Sequence, residues 1–202
     1  MSHENKDQLG LDRIAFFSDA VMAIAITLLV IDLRLPDRSH GELFSQLALL
    51  QGRLLGYFIS FMMVASFWEA HHRMFRYFQT YDRRFLWLNN FFLMFIAFLP
   101  FPTSIIGKGL DSQGAVFYIA NIAAIGLLRF AMWHYATRKS RLVASEFPVT
   151  KVREEMWRAL ATPVGFLLTI PVAIINARFV GWCWLLIWCV TLYLSARKWR
   201  GS

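Results

Sequence analysis

The chain is 202 residues long, 57% hydrophobic and 16% aromatic, with charged residues at only 17%, where an ordinary globular chain carries about a quarter. A mean hydropathy of +0.46 and long apolar runs exclude a disordered protein, a coiled coil and a disulfide-stapled secreted domain. The net charge of +8 comes from basic residues that punctuate the apolar runs instead of forming a patch, so it reads as a topology signal and not as a nucleic-acid footprint.

The fold class is an all-α integral membrane protein. A helix crosses a bilayer with about 20 mostly apolar residues, and the chain offers six such spans within a single domain, residues 1–202: 14–33, 54–78, 85–106, 115–135, 159–177 and 180–196. The polar start MSHENKDQLGLDR, followed at once by a spanning run, does not read as a cleavable signal. The centre of the first span, Ala20 to Ile31, has one hydroxyl and no charge. The second is apolar as far as Ala70 and then continues as a polar helix. The third meets Pro100 and Pro102, which should kink or stop it. Pro163 and Pro171 fall in the fifth. The sixth holds both cysteines, Cys183 and Cys189, about 9 Å apart along a helix axis and facing different ways; they read as packing residues.

Six spans put both termini on one side. With a cytoplasmic N-terminus the inner segments hold fifteen Lys and Arg residues and the outer ones five, with Arg129 left inside span four. This predicts cytoplasmic N- and C-termini in a multi-pass protein of the cell membrane. Trp87, Trp157, Trp182 and Trp199 fall near span ends, as interfacial anchors do. The basic segment from Arg138 to Arg158 reads as a solvated loop, with contact to anionic lipid as the alternative.

The first span repays a helical wheel. At about 100° per residue, Phe17, Ile24, Leu28 and Ile31 form a narrow apolar stripe with Thr27 at its edge. Asp19 falls on the opposite face. A carboxylate at that depth costs at least about 2.5 kcal/mol unless it finds partners, so Asp19 is expected to face the interior of its own bundle as a structural group. Trp68 and His71 share a face of span two, and Asn89 opens span three; these are the donors such a carboxylate needs. Asp32 and Arg34 read as a pair at the outer mouth of span one. Arg129 and His134 read as snorkelling or capping residues. Glu69 and His72 have di-iron spacing, but too few inward carboxylates accompany them for a metal site. No G-x-S-x-G, H-E-x-x-H, phosphate-binding glycine loop or C-x-x-C occurs, so no enzyme, cofactor or metal is expected.

These residues resemble a family. Arg13 to Asp19 fits an R-x-x-x-F-S-D signature, followed by A-I-A-I-T-L-L-V, F-W-x-x-H (Phe67 to His71), Leu88-Asn89 and Phe98-Leu99-Pro100. The chain is similar over residues 13 to 107 to the transmembrane protein 175 family of potassium channels, in its prokaryotic single-repeat form; beyond that the likeness rests on span count. The resemblance implies a non-swapped six-helix bundle per subunit and a homotetramer whose first helices line a central pore. It implies a constriction at Ile24, further apolar layers at Leu28 and Ile31, and a selectivity layer at Thr27. Arg13, Phe17, Ser18 and Asp19 would hold the helices together through Trp68, His71 and Asn89. The expected partners are potassium and other monovalent cations, the lipid bilayer and other copies of the chain, with no nucleic acid. No T-V-G-Y-G filter is present, so a ring of backbone carbonyls is not the expected selectivity device. The rival reading is a proton-coupled secondary transporter using Asp19 and His71.

Overall fold

Apolar runs of this length satisfy their backbone N–H and C=O groups in lipid by coiling into helices. The computed structural model describes residues 3–34, 43–144, 148–187 and 189, and they are helical almost throughout. Helix α1 spans His3–Leu28 and tightens into a 3₁₀ turn, Leu29–Asp32. The chain continues as α2 (Leu43–Leu49), α3 (Gln51–Phe75), α4 (Arg83–Phe98), α5 (Pro100–Lys108), α6 (Ser112–Thr137), α7 (Val149–Leu167) and α8 (Ile170–Asn176), and is helical again over 180–187. Among the described residues four stretches are long and apolar enough to cross a membrane: Asp7–Asp32, Arg83–Lys108, Ser112–Ser140 and Thr150–Asn176. Helix α3 is 25 residues long, but its last turns carry Glu69, His71, His72 and Arg73. The remainder of the predicted sixth span, beyond residue 189, lies outside the described residues.

The prolines redirect the third span without ending it. Pro100 occupies the first turn of α5, where a missing N–H costs no hydrogen bond. Pro163 lies inside α7 and packs closely on Gly126 of α6: a Cβ there would lie 2.7 Å from the proline ring. The segment from Arg138 to Arg158 departs from the solvated loop expected of it. After a 3₁₀ turn at Arg138–Ser140 and a short connection it is helical from Val149, because VTKVREEMWRA lacks glycine and proline and sets Val152, Met156 and Ala159 on one side.

Helix α6 is the central element. Its buried residues, among them Tyr118, Ile122, Ile125, Arg129 and Met132, cover most of its circumference, and α4, α5, α7 and α8 pack around it. Asp82 and Asp111 cap α4 and α6 by accepting from the Phe85 and Gly114 N–H groups at 2.8 and 2.7 Å. Within the bundle the Tyr118 hydroxyl lies 3.1 Å from Ser60, and Ser60 lies 2.8 Å from Thr103. Thr103 gives its proton to the Leu99 carbonyl, so Ser60 donates to Thr103 and Tyr118 to Ser60, leaving each hydroxyl paired.

One end of the bundle gathers three connections. Phe78 bridges Val143, the Gln79 N–H donates to the Leu142 carbonyl at 2.9 Å, and Thr80 donates to Asp7 of α1 at 2.9 Å. The Tyr135 hydroxyl donates to Asp82 at 2.5 Å, and Arg141 lies over the Tyr135 ring. Burial pushes the Asp82 carboxyl up, but hydrogen bonds from Tyr135, Phe85 and Arg84 and the Arg141 charge outweigh that and hold it below its ordinary value. The start of α1, the end of α3 and the end of α6 therefore share one end of the molecule.

Candidate functional site

Helix α1 has two apolar faces with different fates. Leu11, Ile14, Ser18, Met22, Ala25 and Leu29 recur at three- and four-residue steps and are buried against the bundle. Phe17, Ile24, Leu28 and Ile31 lie on the other side and stay exposed, Ile24 at 58% and Ile31 at 54%. Thr27 shares that exposed side, and its hydroxyl donates to the Ile24 carbonyl at 2.8 Å. The 3₁₀ turn changes the register of the stripe. At about 120° per residue Ile31 eclipses Leu28, whereas a continued α-helix would offset the two by about 60°.

Behind the stripe the structure brings five of the expected network residues into two hydrogen-bonded groups. The Trp68 indole N–H donates to Asp19 at 2.9 Å. Separately, the Asn89 amide donates to Ser18 at 3.0 Å, and Ser18 donates to the Ile14 carbonyl at 2.8 Å. The Asn89 oxygen lies 2.9 Å from His71 Nε2; an amide oxygen only accepts, so His71 presents Nε2–H there. The His71 ring stacks on Phe92 at 5.4 Å. Ser18, His71 and Asn89 are all buried, and they tie α1, α3 and α4 together.

Four placements differ from expectation. Asp19 is half-buried on the flank of the helix, and Ser18 occupies the interior. A serine can satisfy its hydroxyl on its own helix, whereas a carboxylate must stay where an outside donor reaches it. Arg13 and Phe17 stand outside the network on the exposed side of α1; the wheel puts both within about 20° of Ile24, turned from the bundle. Arg34 does not pair with Asp32: it donates to the Ile31 carbonyl at 3.4 Å and so covers an end of the 3₁₀ turn. Arg129 does not snorkel. It is buried, donates to the Arg158 carbonyl at 3.1 Å and lies over the Phe67 ring. The hydroxyl chain of Ser60, Thr103 and Tyr118 was not anticipated; its only trace in the sequence is three hydroxyls inside apolar runs.

The family model described as "Endosomal/lysosomal potassium channel TMEM175" matches residues 13–100, which hold α1 from Arg13, α3, α4 and the whole network. A potassium channel of Streptomyces collinus is 30% identical over 171 residues, covering 82% of this chain and 83% of the relative. The chain belongs to the TMEM175 family. Members of the TMEM175 family are ion channels, not enzymes. The crystal structure of a lysosomal potassium-selective TMEM175 homologue from Chamaesiphon minutus superposes with a TM-score of 0.79 at 27% identity, covering 93% of this chain and 97% of that one. The human endosomal/lysosomal proton channel TMEM175 is 35% identical over 108 residues, 49% of this chain and 21% of its own length. The TMEM175 family model thus covers α1 and the helices that hold it, while the Streptomyces relative and the Chamaesiphon structure extend over most of the chain.

Proposed function

We propose that the chain is one subunit of a homotetrameric, potassium-permeable cation channel of the cell membrane. Six spans per subunit form a single domain over residues 1–202, with both termini cytoplasmic. The observation that carries this reading is the division of α1: one face packed through Ser18, Met22 and Leu29, the other presenting Ile24, Leu28 and Ile31 to the outside. An apolar stripe on a membrane helix faces lipid or protein. The kinship with potassium channels over the helices that hold α1 favours three other copies of the same stripe around an axis. The grouping of the α1 start with the 76–83 and 138–143 segments at one end accords with the charge bias that assigns that end to the cytoplasm.

Rings of Ile24, Leu28 and Ile31 close the route sterically and by dewetting, because an ion would shed water with nothing in exchange. Thr27 has spent its hydroxyl hydrogen on the Ile24 carbonyl. Its oxygen lone pairs are left for a cation or its water, so Thr27 serves the discrimination between ions. Ser18, Asp19, Trp68, His71 and Asn89 position α1 and do not touch the ion. Ile24→Asn should raise potassium flux through reconstituted vesicles, since lowering the barrier by about 1.4 kcal/mol is already tenfold in rate; unchanged flux would count against the gate. The transporter reading finds less support: among the described residues Asp19 and His71 sit in separate hydrogen bonds, to Trp68 and Asn89. Proton flux belongs in the same vesicle assay, given the human relative's name.

A further inference from the structure

Between α3, α6 and α7 lies a cavity of about 120 Å³, at the end of the bundle that carries the 76–83 connection. A water needs only about 10–15 Å³ measured in this way, so there is room for a polyatomic group. Five charged side chains line it: Glu69 and Arg73 of α3, Arg129 of α6, and Glu155 and Arg158 of α7. Glu69 is paired with Arg73, and Glu155 with Arg158 at 3.1 Å. Both carboxylates are thus matched, and the charge of Arg129 is left over.

Arg129 is only 8% exposed. Its contacts to the Arg158 carbonyl and the Phe67 ring share its charge without cancelling it. Its Nε, and that of Arg73, are buried with no hydrogen-bond partner among the described residues. A buried cation with open donors is unfavourable unless an anion meets it. Two guanidinium groups on different helices call for an anion with several acceptor oxygens pointing in different directions, which is the chemistry of a phosphate.

We propose that this cavity binds a phosphate group between Arg73 and Arg129, staking α3, α6 and α7 together. The group is either the headgroup of an anionic phospholipid, since the site opens where spans two and four end and span five begins, or soluble phosphate from the aqueous side. The proposal goes beyond the channel reading and does not depend on it.

The test follows the thermal midpoint of the purified full-length chain. One arm adds sodium phosphate in non-ionic detergent against sodium chloride of equal ionic strength. The other compares phosphatidylcholine nanodiscs with and without phosphatidylglycerol. A saturable rise in midpoint is expected in at least one arm; a rise with phosphatidylglycerol alone assigns the lipid, and a rise with sodium phosphate assigns the soluble ion. Arg129→Gln and Arg73→Gln should each weaken the apparent affinity about tenfold, the loss of a charge-assisted hydrogen bond. Should Arg129→Gln fail to fold, Arg73→Gln carries the comparison, because that side chain is half-exposed. The absence of a saturable rise in both arms, or a rise undiminished in Arg73→Gln, overturns the proposal.

Discussion

Thr27 and Asn89 show how much a single polar atom decides inside a membrane helix. With the Thr27 proton committed to the Ile24 carbonyl, Thr27→Val removes an acceptor oxygen while keeping the shape. The potassium-over-sodium permeability ratio should fall about two- to tenfold, the size of one neutral hydrogen bond. An unaltered reversal potential under bi-ionic conditions would contradict that role. Asn89→Leu leaves the His71 Nε2–H without its acceptor, and a buried orphan donor costs about 1–3 kcal/mol. The thermal midpoint should drop, and adding His71→Phe should restore much of the loss, since it removes the stranded donor along with its missing partner. A double variant no more stable than the single one would mean that the hydrogen bond is not what Asn89 supplies.

At the scale of the helix, the contact between α6 and α7 turns on Gly126. Gly126→Ala gains up to about 1 kcal/mol of helix propensity. The new methyl meets the rigid Pro163 ring at 2.7 Å, however, and overpacking costs about 1–3 kcal/mol. The clash should win and lower the thermal midpoint by a few degrees; a raised midpoint would show that α7 yields freely. The third and fourth spans were legible in the sequence, because run length and charge placement respond to the bilayer alone: the predicted 85–106 and 115–135 lie inside Arg83–Lys108 and Ser112–Thr137. The start of α7 at Val149 was not legible, since a basic amphipathic helix and a basic loop share one composition. The 3₁₀ turn at Leu29–Asp32 was equally hidden, because Leu-Val-Ile-Asp fits either helix, and with it went the eclipsing of Leu28 and Ile31.

Across the whole molecule, hydrophobic periodicity loses its usual meaning. In water the apolar side of a helix is the buried side. In lipid both sides of α1 are apolar, and Ile14, Met22 and Leu29 differ little in character from Ile24, Leu28 and Ile31; only the first set is packed. The wheel could group the second set with Phe17, but it could not tell that this side is the unpacked one, nor that Ser18 and not Asp19 enters the core. The polar partners Trp68, His71 and Asn89 were legible as types and converge on α1 through two hydrogen-bonded groups. The burial of Arg129 was not, because a long cationic side chain near a span end ordinarily reaches for water. Four copies of α1 meeting at an axis is the claim on which the gate, the threonine layer and the ion choice all rest. Single-channel recording of the purified protein in a bilayer, with potassium on one side and sodium on the other, tests it most directly. Discrete unitary currents reversing toward the potassium equilibrium potential are predicted; saturable flux without unitary steps, or an ion-tight bilayer, would contradict it.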